Sequence, residues 1–206
     1  PAELPDQRQH LHLMGYVQRR CRLVQQQAFR PPRQHHGEPR PLPLAAGEHD
    51  AFFQPTTSDE QASLFEHCAR GLDQCVALTG EHGLPLIGTG DWNDGMNRVG
   101  EKGRGESVWL GWFLATTLDA FTLFAQARGE AERADRWRAH RARLAQALET
   151  AGWDGAWYRR GYYDDGSPLG STESDACRID SIAQSWAAIS GVASDERATI
   201  AVDAAL

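Results

Sequence analysis

The chain has 206 residues, 41% of them apolar, which is enough for one sizeable core or for part of a larger one. Its net charge of −7 is split unevenly: residues 1–45 carry seven Arg and three acidic residues, a net of +4, which leaves −11 for residues 46–206 and argues against nucleic acid as a partner. There is no unbroken apolar run of about 18 residues and no basic-then-apolar leader, so the expectation is a cytoplasmic segment with no span, no signal peptide and no direct membrane contact.

Residues 1–45 are rich in Gln, Arg, His and Pro, as in Arg30-Pro31-Pro32-Arg33-Gln34-His35-His36, and show no sustained period. Such a stretch buries too little apolar surface to offset its ordering entropy. Two readings stay open, a basic disordered arm and an out-of-frame reading of a GC-rich gene. No function is assigned to it, and residues 46–206 are taken as the domain.

Regular patterning begins near Ser58. Ser58-Asp59-Glu60-Gln61 has the form of a capping box, and Phe65, Cys68, Leu72, Cys75 and Val76 recur at helical spacing until Gly80. A long glycine-rich loop follows over 80–105. A second helix runs from Glu106 or Ser107 to about Arg128, apolar around most of its circumference, as in the inner layer of a helical barrel. The third, about 130–150, carries Ala134, Trp137, Leu144 and Leu148 on one stripe and suits an outer layer. Residues 152–166 interleave Gly with aromatic residues and read as a turn with short extended pieces. Asp180 opens a fourth helix with Ile182, Ala183, Trp186 and Ile189 inward, and Ser194-Asp195-Glu196-Arg197 caps a fifth. Buried and amphipathic helices in alternation indicate a mainly α protein, a partial and truncated (α/α)6 barrel or helical toroid.

Seven Trp are many for this length, and each indole needs a packing surface and an N–H partner. Sugar clefts are one use of such a surplus and core packing is the other. The four cysteines, Cys21, Cys68, Cys75 and Cys177, have neither CxxC spacing nor a companion His pair, so buried free thiols are expected rather than a metal site or a disulfide framework.

Chemistry concentrates in Gly90-Asp91-Trp92-Asn93-Asp94-Gly95. Glycosidic cleavage needs a proton for the leaving oxygen and a nucleophile at the anomeric carbon, and two carboxylates commonly flank the sugar. Asp91 and Asp94 lie three residues apart on one turn, a poor arrangement for gripping a ring from opposite faces. One carboxylate is therefore assigned to chemistry and the other to holding the loop. Asp91, after Gly88-Thr89-Gly90, suits the bracing role, and Trp92 offers a flat face for a pyranose. A purely structural turn is one alternative and a calcium loop another. The second fits poorly, because Gly95 and Lys102 stand fifth and twelfth where an EF-hand has Gly sixth and Glu twelfth.

The stretch from Gly83 to Asn97, then Gly105-Glu106-Ser107-Val108-Trp109-Leu110-Gly111-Trp112, Tyr163 to Gly170, and Cys177 to Trp186, resembles glycoside hydrolase family 94. The flanking words look like the family's cyclic β-1,2-glucan synthase branch, and the resemblance covers roughly residues 48–206. It implies inverting phosphorolysis of a β-glucan oligosaccharide, with Asp94 as general acid and Trp92 at the substrate. It also implies inorganic phosphate as co-substrate, no cofactor and no metal. Asp91 and Gln184 are the further candidate substrate-binding residues. Trp186 is either core or cleft, Arg178 and Asp180 are a candidate ion pair, and Arg98 and Glu106 are candidate braces. The resemblance further implies a parent anchored in the inner membrane, and phosphate-holding elements beyond Leu206. A hydrolytic α/α-barrel glycosidase, a noncatalytic carbohydrate-binding module and an inactive fragment are the competing readings.

Overall fold

The computed structural model describes residues 62–206, so the segment 1–45 and the Ser58 box lie outside the described residues. Helix α1 spans Leu64–Ala77 and is capped by Ser63, whose Oγ accepts the Glu66 N–H at 3.2 Å. Ser63-Leu64-Phe65-Glu66 has the capping-box form itself, and it, not Ser58, starts the helix. The helix stops before Gly80 because the chain peels away at Leu78 and Thr79 pairs with Pro85 across a short turn.

Helix α2, Val108–Ala127, is capped by Ser107, and Trp112, Ala115, Leu118 and Ala125 are wholly buried along it. By length and composition this helix could cross a membrane, although no unbroken apolar run of about 18 residues marks it in the sequence. Its apolar surface is used inside the protein, against α1, α3 and α4. Helix α3, Ala131–Thr150, follows after Arg128-Gly129-Glu130, where Gly129 takes φ +79° in the left-handed region and lets so short a link fold α3 back on α2. The two helices approach closely at Gly111, where a Cβ would stand 2.8 Å from Leu148 Cδ2. Trp137 is fully buried between them and donates its indole N–H to Asp73 of α1 at 2.8 Å.

Helices α4, Ser181–Ser190, and α5, Asp195–Ala205, begin at Asp180 and Ser194, as the sequence suggests. The inner face of α4 is Ala183, Gln184 and Ala187; Ile189, expected there, is exposed because it falls on the opposite side of the turn. Cysteines depart from expectation in the same way: Cys68 is buried and Cys75 half-buried, but Cys177 is exposed.

Three short strands, β1 (Glu106–Ser107), β2 (Gly161–Tyr162) and β3 (Pro168–Leu169), form an antiparallel sheet in that order. Glu106 pairs with Tyr162 on one side and bridges to Leu86 on the other. Gly161 is required at its place, since a Cβ there would lie 2.1 Å from the Glu106 carbonyl oxygen. The sheet ties the glycine-rich loop to the N-terminus of α2, and that junction positions the site.

Candidate active site

The loop from Gly80 to Gly105 is held at three places. Glu106, 1% exposed, accepts backbone N–H groups of His82 (3.1 Å) and Leu84 (3.2 Å) and bonds the His82 ring, which stacks on Tyr162 with centroids 3.8 Å apart. Glu106 thus braces the first limb of the loop, whereas Arg98 is exposed. The last limb is held by Asp164, whose carboxylate accepts the N–H groups of Lys102 (2.7 Å), Arg104 (2.8 Å) and Gly105 (3.0 Å). Burial pushes the Asp164 carboxyl up, but these donors and the nearby Arg104 charge outweigh it and hold the group below the usual range.

The third anchor lies in the middle. Asp91 is buried, and both of its oxygens are engaged: Oδ1 accepts from Arg160 Nη2 at 2.6 Å and from the Asn93 N–H at 3.2 Å, and Oδ2 accepts from the Ser107 hydroxyl at 2.6 Å. Ser107 Oγ also accepts from Arg160 Nη1 at 3.0 Å while capping α2 through the Leu110 N–H at 3.1 Å. Arg160 Nε stands 3.3 Å from Asp180 Oδ2, off the N–H axis, and Asp180 Oδ1 caps α4. One guanidinium, 1% exposed, therefore joins the glycine-rich loop to the starts of two helices.

Beyond Asp91 the loop turns outward. Asn93 Oδ1 accepts the Gly95 N–H at 3.0 Å and caps a 3-10 turn over Asp94–Met96, so Asp94 is the first residue of that turn. Trp92 is 59% exposed and its ring lies 6.5 Å from that of Trp109, tilted by 53°. Trp109 in turn stacks on Phe113 at 5.6 Å and meets Trp186 edge-on at 6.0 Å, so Trp186 is part of this aromatic row. An apolar groove runs beneath it, lined by Cys75, Leu78, Leu86, Leu110, Phe113 and Asp91 among others. Burial pushes the Cys75 thiol up to about 11, which keeps it protonated and a poor nucleophile.

Three expected placements change, the first being Asp91: as a candidate for substrate binding it has both carboxylate oxygens taken up within the protein. Gln184 is 1% exposed, its Oε1 accepts the Tyr158 N–H (2.8 Å), and its Nε2 donates to the carbonyls of Tyr158 (2.7 Å) and Asp180 (2.9 Å). Its amide is spent on the backbone behind the site, so this geometry does not offer it to a sugar. Arg178 is exposed, and the ion-pair partner of Asp180 is Arg160. Arg160 itself is the functional residue that sequence reasoning passed over. Its signal was alternation, since Tyr158, Arg160 and Tyr162 share the inward face of an extended segment. Among the described residues no group of three or more His, Cys, Asp or Glu could hold a metal ion.

The family model described as the glycosyl hydrolase 94 superfamily, catalytic domain, matches residues 43–206. The chain is 58% identical over 163 residues to the cyclic beta-(1,2)-glucan synthase NdvB of Rhizobium meliloti (strain 1021), covering 79% of this chain and 6% of that protein. It is 39% identical over 140 residues to the 3-O-beta-D-glucopyranosyl-beta-D-glucuronide phosphorylase of Paenibacillus borealis, covering 68% of this chain and 18% of that one. The chain thus spans less than a fifth of the length of these relatives. A GH78 family rhamnosidase of Bacillus sp. GL1 shares the fold over 68% of this chain and 14% of its own, with TM-score 0.52 and 21% identity. The mainly helical architecture and the match over three quarters of its residues agree: the chain belongs to the glycosyl hydrolase 94 superfamily.

Proposed function

We propose that this chain is part of a glycoside phosphorylase-type catalytic domain that cleaves a β-glucan, of β-1,2 linkage, with inorganic phosphate as nucleophile and Asp94 as general acid. The supporting observation is the commitment of Asp91. A buried carboxylate whose two oxygens accept from a guanidinium, a backbone N–H and a serine hydroxyl has no open face toward a substrate. That leaves Asp94 as the other carboxylate of the motif, on a 3-10 turn that begins two residues after the exposed Trp92.

In the proposed step a phosphate oxygen attacks the anomeric carbon and the glycosidic C–O bond breaks with inversion. Asp94 delivers its proton to the departing oxygen, giving glucose 1-phosphate and a shortened glucan with a free hydroxyl. Phosphate arrives already anionic, so no second carboxylate is needed to deprotonate a nucleophile, which suits a loop with one committed and one remaining Asp. Trp92 supplies the apolar face for a sugar ring. The 58% identity to a glucan synthase supports the choice of β-1,2-glucan over other linkages.

The test is product analysis on the full-length protein carrying this chain, supplied with β-1,2-glucan oligosaccharides. Glucose 1-phosphate formed only when phosphate is present is the expected result. Equal release of reducing sugar with and without phosphate would establish the hydrolytic reading instead, and binding without any turnover would establish a carbohydrate-binding module.

A further inference from the structure

We propose that Arg160 is the positioning residue of the acid loop, acting through Asp91 to fix the turn that carries Asp94; the inference rests on Asp94 being the acid. A guanidinium 1% exposed is costly to bury, and a carboxylate facing it doubles the desolvation. An apolar pair would hold two helix ends together at less cost. What an apolar pair cannot supply is direction, and Arg160 spends its planar fork on direction: Nη2 to Asp91, Nη1 to Ser107, Nε toward Asp180.

The consequence runs along the loop by consecutive bonds. Asp91 Oδ1, oriented by Arg160, accepts the Asn93 N–H; Asn93 Oδ1 accepts the Gly95 N–H; and Asp94 lies between those two residues on the turn they define. Rotating the Asp91 carboxylate releases Asn93, and with it the cap of the turn. Ser107 closes the ring by donating to Asp91 while capping α2, so the turn is referenced to the helix that carries Trp109. Arg160 therefore sets where the turn that carries Asp94 starts, without touching substrate.

A role confined to joining α2 and α4 makes a different prediction. The experiment is steady-state kinetics and thermal unfolding of the full-length protein as Arg160→Met, Arg160→Lys, Asp91→Asn and the Arg160→Met/Asp91→Asn double variant. Arg160→Met and Asp91→Asn are each expected to lower kcat by about 100-fold, the scale of a misplaced catalytic group, with KM for glucan little changed. The double variant is expected to be no worse than the poorer single one, because both break the same link. Arg160→Lys is expected to recover part of kcat, since an ammonium reaches Asp91 but cannot also hold Ser107. Unchanged kcat in folded Arg160→Met, losses that multiply in the double variant, or a loss confined to KM would overturn the proposal. Should Arg160→Met not fold, Ser107→Ala with Asp91→Asn makes the same cycle: shared losses support it and independent losses refute it. Asp94→Asn separates the two ideas. Turnover retained in that variant defeats the acid assignment, whereas turnover lost alongside multiplying losses in the cycle defeats the positioning role alone.

Discussion

At its C-terminal half α2 presents Leu118, Phe121 and Ala125 to α1 and α3, with Trp137 edge-on to Phe121 at 6.3 Å. At its N-terminal half the same helix starts from Ser107, tied to Asp91 and Arg160, and turns Trp109 and Phe113 toward the exposed Trp92. The first region is apolar and stabilises the domain by area removed from water. The second buries charge, which stabilises little relative to apolar packing of the same shape but allows few alternative arrangements. The difference shows where the fold is insured and where it is aimed.

Substitutions can break or sharpen that contrast. Gly161→Ala forces a Cβ to 2.1 Å from the Glu106 carbonyl, so β1 and β2 must separate. It is expected to prevent folding or leave a chain with no cooperative thermal transition. Trp137→Ala, at the apolar end, is expected to cost ~3–5 kcal/mol of stability, read by denaturant unfolding. The variant that remains folded should keep kcat, as the insured end does not touch the loop. Gly111→Ala presses on Leu148, the end of a flexible side chain, and is expected to cost ~1–3 kcal/mol with kcat retained.

Acid titration of the melting temperature is the mildest probe. His140 is 5% exposed, and burial, helped by the Arg143 charge, holds its ring below its ordinary value of 6.5. Its folded form resists protonation more than the unfolded chain does, so its contribution is present above 6.5 and is lost as pH falls below it. Asp164, held below 3.8, contributes above that value and loses its contribution as pH falls through its folded pKa. A two-stage decline is expected, and His140→Gln should remove the upper stage while leaving the lower one, which Asp164 shares with Glu66 and Asp154, also held below the usual carboxylate range. A melting temperature that rises on acidification from pH 7 would contradict this sign.

Much of the helical frame was legible because its determinants are local. The bounds of α2 through α5 follow from Ser107, Gly129, Asp180 and Ser194, residues whose short side chains or missing Cβ act on the adjoining turn. α1 starts from Ser63, five residues after the similar Ser58 box, which lies outside the described residues; two boxes of one form so close together leave the start open in the sequence. In the site, a bracing Asp91 was legible from its place after Gly88-Thr89-Gly90 on a tight turn. The partners of Asp91 were not, because Ser107 and Arg160 stand 16 and 69 residues away along the chain. Gln184 looked like a cleft residue for the same reason: its partner, the Tyr158 backbone, is 26 residues distant and carries no sequence label.

The central claim is that the aimed end of α2 serves an acid on Asp94 with phosphate as its nucleophile. It is tested most directly by following glucose 1-phosphate from β-1,2-glucan oligosaccharides in the full-length protein and in Asp94→Asn. Phosphate-dependent formation is expected in the parent, with a loss of about 10²–10⁴-fold in the variant and an unchanged melting temperature. Asp94→Asn that forms glucose 1-phosphate at the parental rate would contradict it.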